Sequence, residues 1–151
     1  MPLGNAIRNE LVVVGFSSNV AGAGFSPADA TTYYWPAGLA NGAYTVAGNF
    51  RQRMAVSGRI RTVTVAEIHT GTNGSNEAVT LQISVNGGTP VTLASPTFDQ
   101  GSSTVQALGP YTGLDLAVVA GDYIDVNIVC PTWTTNPTGV YLVGQIAIEV
   151  A

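Results

Sequence analysis

The sequence predicts an all-β fold in which about eight to ten short strands form an antiparallel two-sheet sandwich. One basis is the period of two in segment 123–129, where Ile124, Val126 and Ile128 would share one buried face. A second is the frequency with which Gly, Pro, Asn and Thr interrupt short apolar runs, as turns do between strands. A third is that no segment has the apolar period of a helix longer than about two turns.

Three strand candidates lie in the first third of the chain. Residues 11–16 form a short apolar run, which is followed by a loop at 17–28 rich in Gly, Ala and Ser. Residues 31–35 combine β-branched and aromatic side chains and stop at Pro36. Residues 43–46 form a weaker candidate, and the predicted turn lies between Pro36 and this segment.

A longer strand is predicted from about residue 59 to residue 69. Its apolar positions change from one face to the other between Ile60 and Val63, so a regular strand could not bury both. This change of face predicts a β-bulge or another irregularity of register inside the strand.

The most definite local prediction is a hairpin. Its apolar residues alternate along both strands, and they are Val79, Leu81, Ile83 and Val85, then Val91 and Leu93. Between the strands, residues 86–88 read Asn-Gly-Gly, and these residue types tolerate the positive φ angles that tight hairpin turns require.

Further strands are predicted at 104–108, 114–119, 123–129 and 140–150, separated by turns that contain Gly or Pro. The apolar residues of the last strand share one face, and they are Val140, Leu142, Ile146, Ile148 and Val150. Gly144 interrupts that face, which predicts a bulge or a close neighbour at this position. The number and spacing of the strands favour a jelly roll.

The length of 151 residues fits a single domain, 1–151, which is large enough to bury a core without disulfides. Residues 1–30 are interpreted either as an N-terminal arm or as the first strand with its loop. No apolar run approaches the length of a membrane span, and the first residues lack the features of a secretory signal, so a membrane is not an expected partner. The single cysteine, Cys130, excludes an intrachain disulfide and is expected to be a small buried apolar residue.

Charge is scarce in this chain. Charged residues make up 9% of it, compared with about 25% in an average soluble domain, which suggests that neighbouring molecules cover much of the surface. The net charge is −4 and the sequence pI is about 4.6. Nucleic acid is therefore not an expected partner, because neutralising phosphates requires a basic face.

All five basic residues are arginines, namely Arg8, Arg51, Arg53, Arg59 and Arg61. Arginine is enriched at protein interfaces and lysine is depleted there. Four of the five fall in residues 51–61 and form a candidate protein-contact cluster of Arg51, Arg53, Arg59 and Arg61. The cluster is interpreted in two ways, as an anchor for acidic partner surfaces or as ordinary solvated charges on a strand.

Aromatic residues give a weaker signal for a glycan site. Tyr33, Tyr34, Trp35 and Tyr111 could form an aromatic platform, but aromatic side chains in a β-sandwich are more often core residues. Trp133 lies in a loop among Thr and Asn residues and is the one candidate exposed aromatic. Glycan binding is thus a possibility that the sequence does not support further.

No arrangement typical of an enzyme is present, and we expect no catalytic residue, cofactor or metal. His69 is the only histidine, and no Gly-x-Ser-x-Gly elbow accompanies it. Glu67 and His69 share a strand face, but two ligands without recognisable partners are a weak metal signal. Asp122 is expected to stabilise a Gly-Asp turn, and Asp125 is expected to lie on an exposed strand face.

Four segments resemble jelly-roll modules of tailed-phage virion proteins in their order along the chain. They are TYYWPAG (32–38), AVSGRIRTVTV (55–65), VTLQISVNG (79–87) and VVAGDYIDV (118–126), so the similarity covers about residues 30–150. Alternating strands joined by Gly turns also occur in other jelly rolls, including the trimeric heads related to complement and tumour-necrosis-factor domains. The resemblance implies a homotrimer.

The resemblance also implies a place in the virion. The expected role is that of a head decoration or cement protein, made in the host cytoplasm, which binds the major capsid protein on the outer surface of the head. Two alternatives remain open: the receptor-binding tip of a tail fibre or spike, and a non-viral carbohydrate-binding sandwich.

Overall fold

The computed structural model describes residues 11–17, 24–38, 45, 52–69, 71, 77–98 and 104–151. They contain nine strands: β1 (Leu11–Ser17), β2 (Thr32–Pro36), β3 (Gly58–His69), β4 (Thr80–Val85), β5 (Val91–Ala94), β6 (Thr104–Ala107), β7 (Leu116–Val118), β8 (Ile124–Val129) and β9 (Val140–Val150). The predicted fold class, an all-β antiparallel two-sheet sandwich, is confirmed. Of the weak strand candidate at 43–46, only Thr45 is described, and it is not in a strand; the rest lies outside the described residues.

Each sheet has a simple strand order. In sheet A the order is β1-β9-β3-β6, and β7 also pairs with β3. In sheet B the order is β2-β8-β4-β5. Strands β6 and β7 pair with opposite ends of β3, so together they form one interrupted edge of sheet A.

The core lies between the sheets and consists of the inward side chains of the long strands. Nearly all are aliphatic, because alternate positions of each strand face the other sheet. The largest apolar side chains with less than 2% of their surface exposed are Trp35, Ile60, Leu81, Ile83, Ile124, Ile128, Leu142, Ile146, Ile148 and Val63. Apolar burial of this kind stabilises the fold by roughly 25 cal/mol for each Å² removed from water.

The irregularity predicted in the long strand is confirmed. The register of β3 against β9 shifts between Ile60 and Thr62, so one extra residue is accommodated there. The bulge allows Ile60 and Val63 to be buried on the same side of the strand, although three positions separate them. It also leaves Arg59 and Arg61 on the outer side of the sheet.

The predicted hairpin is confirmed as β4 and β5. Asn86 and Gly87 both have positive φ angles, 54° and 65°. The N–H of Gly88 donates to the carbonyl of Val85 at 2.9 Å, which closes a tight turn at the end of β4. These φ signs are those of a type I′ turn, whose twist matches that of the flanking strands.

The prediction that Asp125 lies on an exposed strand face is wrong. Both faces of β8 are covered, and Asp125 and Asn127 are as deeply buried as the apolar residues that alternate with them. β8 is a central strand, and Asp125 lies between Pro36 of β2 and Ser84 of β4, both also buried. A period of two assigns residues to faces but does not say whether the second face meets water.

A close neighbour was predicted at Gly144, and this is confirmed. A Cβ at this position would collide with the carbonyl oxygen of Thr64 and with the ring of Phe16. The Phe16 ring therefore fills the space that a side chain on β9 would need.

We predict that Gly144→Ala lowers the free energy of unfolding by about 2 kcal/mol, because the new methyl group overpacks a site closed by backbone on one side. Gly15→Ala is the matched control, since its Cβ would meet only the carbonyl oxygen of Gly144 at an ordinary 3.8 Å. Urea denaturation of both variants tests this. Equal stability of the two would contradict the packing argument.

Candidate protein-contact site

The outer face of sheet A carries an unusual number of exposed apolar side chains. Among the described residues, the large hydrophobic side chains with high exposure are Leu11 (60%), Val13 (52%), Val105 (64%), Val119 (60%) and Val143 (39%). Four of them lie on the outer side of β1, β6 and β9, and Val119 directly follows β7. Exposed apolar side chains gathered on one face in this way are typical of interaction sites.

The strand register brings these residues into one surface. Its members, which we call the apolar face, are Leu11, Val13, Ala66, Ile68, Val105, Val143 and Ala147. Val13 lies opposite Ala147, and Val143 lies opposite Ala66. The local cause is that β1 is apolar on both sides, so burying Val14 and Phe16 inward leaves Leu11 and Val13 in contact with water.

The middle of this surface is polar but uncharged. Thr62, Thr64 and Gln145 occupy it, and Thr64 lies opposite Gln145. Beside them is a depression of about 270 Å³. It is lined by Phe16, Thr64, Ala66, Val143, Gly144 and Gln145.

Charges appear at one end of the outer face, where Arg59 and Arg61 meet two acidic residues. Nη1 of Arg59 lies 2.7 Å from Oδ2 of Asp115, and Nε of Arg61 lies 2.5 Å from Oε2 of Glu149. Nη1 of Arg61 also pairs with the Asp115 carboxylate, which bridges both guanidinium groups. The hydrogen bond to Glu149, helped by the negative charges nearby, raises the pKa of Arg61, so this group stays charged.

A groove of about 510 Å³ lies next to this ion-pair network. It is lined by Ser57, Gly58, Arg59, Arg61, Ala117, Val118, Val119, Glu149, Val150 and Ala151. The groove thus combines small apolar side chains with a rim that carries both signs of charge. Such a surface suits a protein partner with mixed polar and apolar contacts.

The structure brings together only two of the four arginines in the candidate contact cluster. Arg59 and Arg61 share the network, whereas Nη1 of Arg53 donates to the carbonyl of Gly121 at 2.6 Å in a separate turn. Arg51 lies outside the described residues. Sequence proximity alone could not separate these residues, because the acidic partners Asp115 and Glu149 are distant in the chain.

Asp122 stabilises the turn near Arg53, as the sequence indicated. Its Oδ2 accepts from the N–H of Val119 at 2.8 Å, and its Oδ1 accepts from Nδ2 of Asn86 at 2.6 Å. These bonds, with a smaller effect of the positive charge of Arg53, lower the pKa of Asp122 below its ordinary value. The Asn86 contact ties the hairpin turn to the turn that leads into β8.

The prediction that Trp133 is exposed is wrong, since its side chain keeps only 6% of its surface accessible. Its ring stacks on Phe98 with centroids 6.1 Å apart. The backbone N–H of Trp133 donates to Oδ1 of Asp29 at 3.0 Å, and the backbone N–H of the next residue, Thr134, donates to Oε1 of Glu77 at 3.0 Å. Two acidic residues from distant parts of the chain thus hold this loop against the core. The sequence around Trp133 could not predict these contacts.

The other aromatic candidates mostly serve the core. Trp35 is buried, and Phe25 packs against both Tyr33 and Trp35, with centroids 5.1 Å and 5.3 Å away. The hydroxyl of Tyr33 accepts from the N–H of Ala28 at 3.0 Å. Tyr111 is partly buried and bridges to Val63 of β3. These residues form no exposed aromatic platform in the described part of the chain.

The candidate reactive or metal-binding residues are Cys130, Glu67 and His69, and the first two are buried. Cys130 is buried, as predicted, and its burial raises the pKa of the thiol to about 12, so the nucleophilic thiolate is disfavoured. Glu67 is fully buried on the inward side of β3. His69 ends that strand, but its side chain lies outside the described part of the structure. Within the described residues, no group of three or more His, Cys, Asp or Glu could hold a metal ion.

No helix among the described residues has the length and apolar character needed to cross a membrane. No protein-family model, curated protein or solved structure matches this chain. Its function is therefore interpreted from its own surfaces and from the two-sheet fold.

We predict that Asp122→Ala destabilises the protein at neutral pH and that the difference from wild type shrinks in acid. Folding lowers the pKa of this carboxyl below 3.8, so its stabilising effect is present above that value and is lost as pH falls through the folded-state pKa. Urea denaturation from pH 7 to pH 2 measures the difference. A difference that does not vary with pH would contradict this assignment.

Proposed function

We propose that this chain is a virion structural protein of a tailed phage, a decoration protein that binds the outer surface of the head as a homotrimer. It acts by binding the major capsid protein and stabilising the shell rather than by catalysis. The observation that carries the proposal is the apolar face of sheet A, since a soluble subunit with such a surface is suited to assembly.

The pairing of the strands supports a jelly roll of the type that the sequence resembles. β1 pairs with β9, β2 with β8, β3 with both β6 and β7, and β4 with β5. Nested pairs are expected of a two-stranded ribbon that is folded at its middle, here at β4 and β5, and wrapped across two sheets. They support the proposal of a jelly roll, an arrangement that is common in capsid proteins.

Surface charge supports assembly as well. The chain has few charges, and at one end of sheet A four of them neutralise one another in the Arg59 and Arg61 network. Charges that are already paired within the chain lose less solvation energy when a partner covers them than unpaired charges would. The groove beside this network is the proposed contact with the capsid protein.

The mechanism would be thermodynamic. A protein that binds the assembled shell but not its separated subunits stabilises the shell by mass action, by about 2.7 kcal/mol per site at a free concentration of about one hundred times Kd. Three linked contacts in a trimer strengthen the attachment further, because the second and third form at high effective concentration.

Glycan recognition is less well supported than assembly. The candidate exposed aromatic, Trp133, is packed against Phe98 and cannot offer its ring face to a sugar without rearrangement. A role at the tail tip differs from decoration in where the protein lies on the particle, so locating the protein separates the two roles.

Immunogold electron microscopy of the source particles, with an antibody against this chain, tests the proposal. Label distributed over the head is the expected result. Label confined to the distal tail would instead indicate a receptor-binding part, and its absence from intact particles, with the epitope shown to be accessible, would overturn the virion assignment.

We predict that the double variant Arg59→Ala, Arg61→Ala binds isolated heads at least about tenfold more weakly than wild type. Both side chains are close to half exposed, so each guanidinium keeps N–H donors beyond those bonded to Asp115 and Glu149 with which to reach acidic groups of the capsid. Co-sedimentation with heads that lack the protein gives the affinities.

Arg53→Ala is the matched control for this experiment. It also removes a guanidinium, but its partner is the Gly121 carbonyl rather than the network beside the groove. We expect it to bind heads like wild type. Unchanged binding of the double variant, with circular dichroism like that of wild type, would remove the arginine anchor and leave the two residues as intrachain ion pairs.

A further inference from the structure

We infer that the apolar face of sheet A is the surface through which copies of this chain contact one another. The inference rests on the proposed function, because it assigns the contact between subunits of the proposed trimer. Its evidence is the size of the face, the chemistry of its centre and border, and its shape.

The size of the face suits a stable contact between two copies. The five strands of sheet A contain 37 residues, and each residue covers about 16 Å² of the sheet, since strands lie about 4.8 Å apart and rise about 3.3 Å per residue. The face therefore measures about 590 Å², whereas a standard protein interface buries about 800 Å² on each partner. One sheet face therefore provides most of the area that stable association needs.

The side chains at the centre of the face can form hydrogen bonds with the same side chains of another copy. Thr62 and Thr64 carry a hydroxyl, and Gln145 carries an amide, so each can both donate and accept a hydrogen bond. Like residues that meet around a symmetry axis can therefore satisfy one another. A strongly acidic or basic partner would find no charge of opposite sign among these central residues.

The border of the face also tolerates self-association. In the strands of sheet A, the charged residues on the outer side are Arg59, Arg61 and Glu149, all at the end where Asp115 completes the network. Two positive and two negative groups give this end no net charge. Copies of the chain can therefore approach here without the repulsion that a border of one sign would cause.

The shape of the face provides both a projection and a depression. Leu11 and Val13 project from the edge strand β1, whereas the depression lined by Phe16 and Gly144 lies near the middle of the sheet. Its volume of about 270 Å³ is sufficient for an aliphatic side chain from another copy. A contact between different parts of one face is heterologous, and such contacts close into rings like the proposed trimer.

The test is the oligomeric state of the full chain carrying Val13→Glu and Val143→Glu. Both side chains are exposed, so the folded subunit tolerates glutamate, but burying two carboxylates between copies is strongly unfavourable. Size-exclusion chromatography with light scattering should give three times the 15.5 kDa subunit mass for wild type and the single subunit mass for the variant. We expect the dissociation constant to rise at least about a hundredfold.

Thr92→Glu is the matched control, because it adds a carboxylate at an exposed position of β5 in the other sheet. It should remain trimeric. Circular dichroism and cooperative urea unfolding report whether each variant is folded. If the double variant does not fold, Val105→Glu replaces it, since this residue is highly exposed on edge strand β6.

Two results would overturn the inference. One is a wild-type chain that stays monomeric at high concentration, and the other is a folded face variant that remains a trimer. A variant that stays trimeric but no longer binds heads would show that this face contacts the shell, so the inference would fail while the proposed function stood. Dissociation of the variant, with no binding of wild type to heads, would uphold the inference and reject decoration.

Discussion

The antiparallel pairing of β3 with β9 is the constraint on which the rest of the structure depends. It runs from Gly58 opposite Val150 to His69 opposite Val140, through a single shift of register. These two strands are the centre of sheet A, and β1, β6 and β7 pair along their outer edges. Their inward residues supply a large part of the core, and their outward residues form the centre of the candidate contact surface.

The bulge in β3 controls both sides of this sheet at once. Because it adds one residue after Ile60, Val63 and Val65 face the core while Arg59 and Arg61 stay outside. Removing the extra residue would turn one of these sets to the wrong side, since the side chains of a strand alternate with a period of two. Core packing and the position of the ion-pair network are therefore consequences of the same irregularity.

The outer faces of the two sheets differ in polarity and in exposure to water. In sheet B, polar residues such as Asp125 and Asn127 are buried on the side of β8 away from the core. In sheet A, apolar residues such as Leu11 and Val143 are exposed on the corresponding side. This contrast concentrates the exposed large apolar side chains of the described residues on the outer face of sheet A.

The sequence by itself determined the strand pattern, the hairpin turn at Asn86 and Gly87, the bulge after Ile60 and the burial of Cys130, because these depend on local alternation and on backbone preferences. Only the tertiary structure decided what covers each face and which distant residues meet. Asp115 and Glu149 form ion pairs with Arg59 and Arg61, whereas Arg53 bonds to a backbone carbonyl elsewhere. Asp29 and Glu77 accept hydrogen bonds from the loop in which Trp133 is buried. Periodicity records which side chains share a face, whereas burial and ion pairing depend on contacts between segments far apart in the chain.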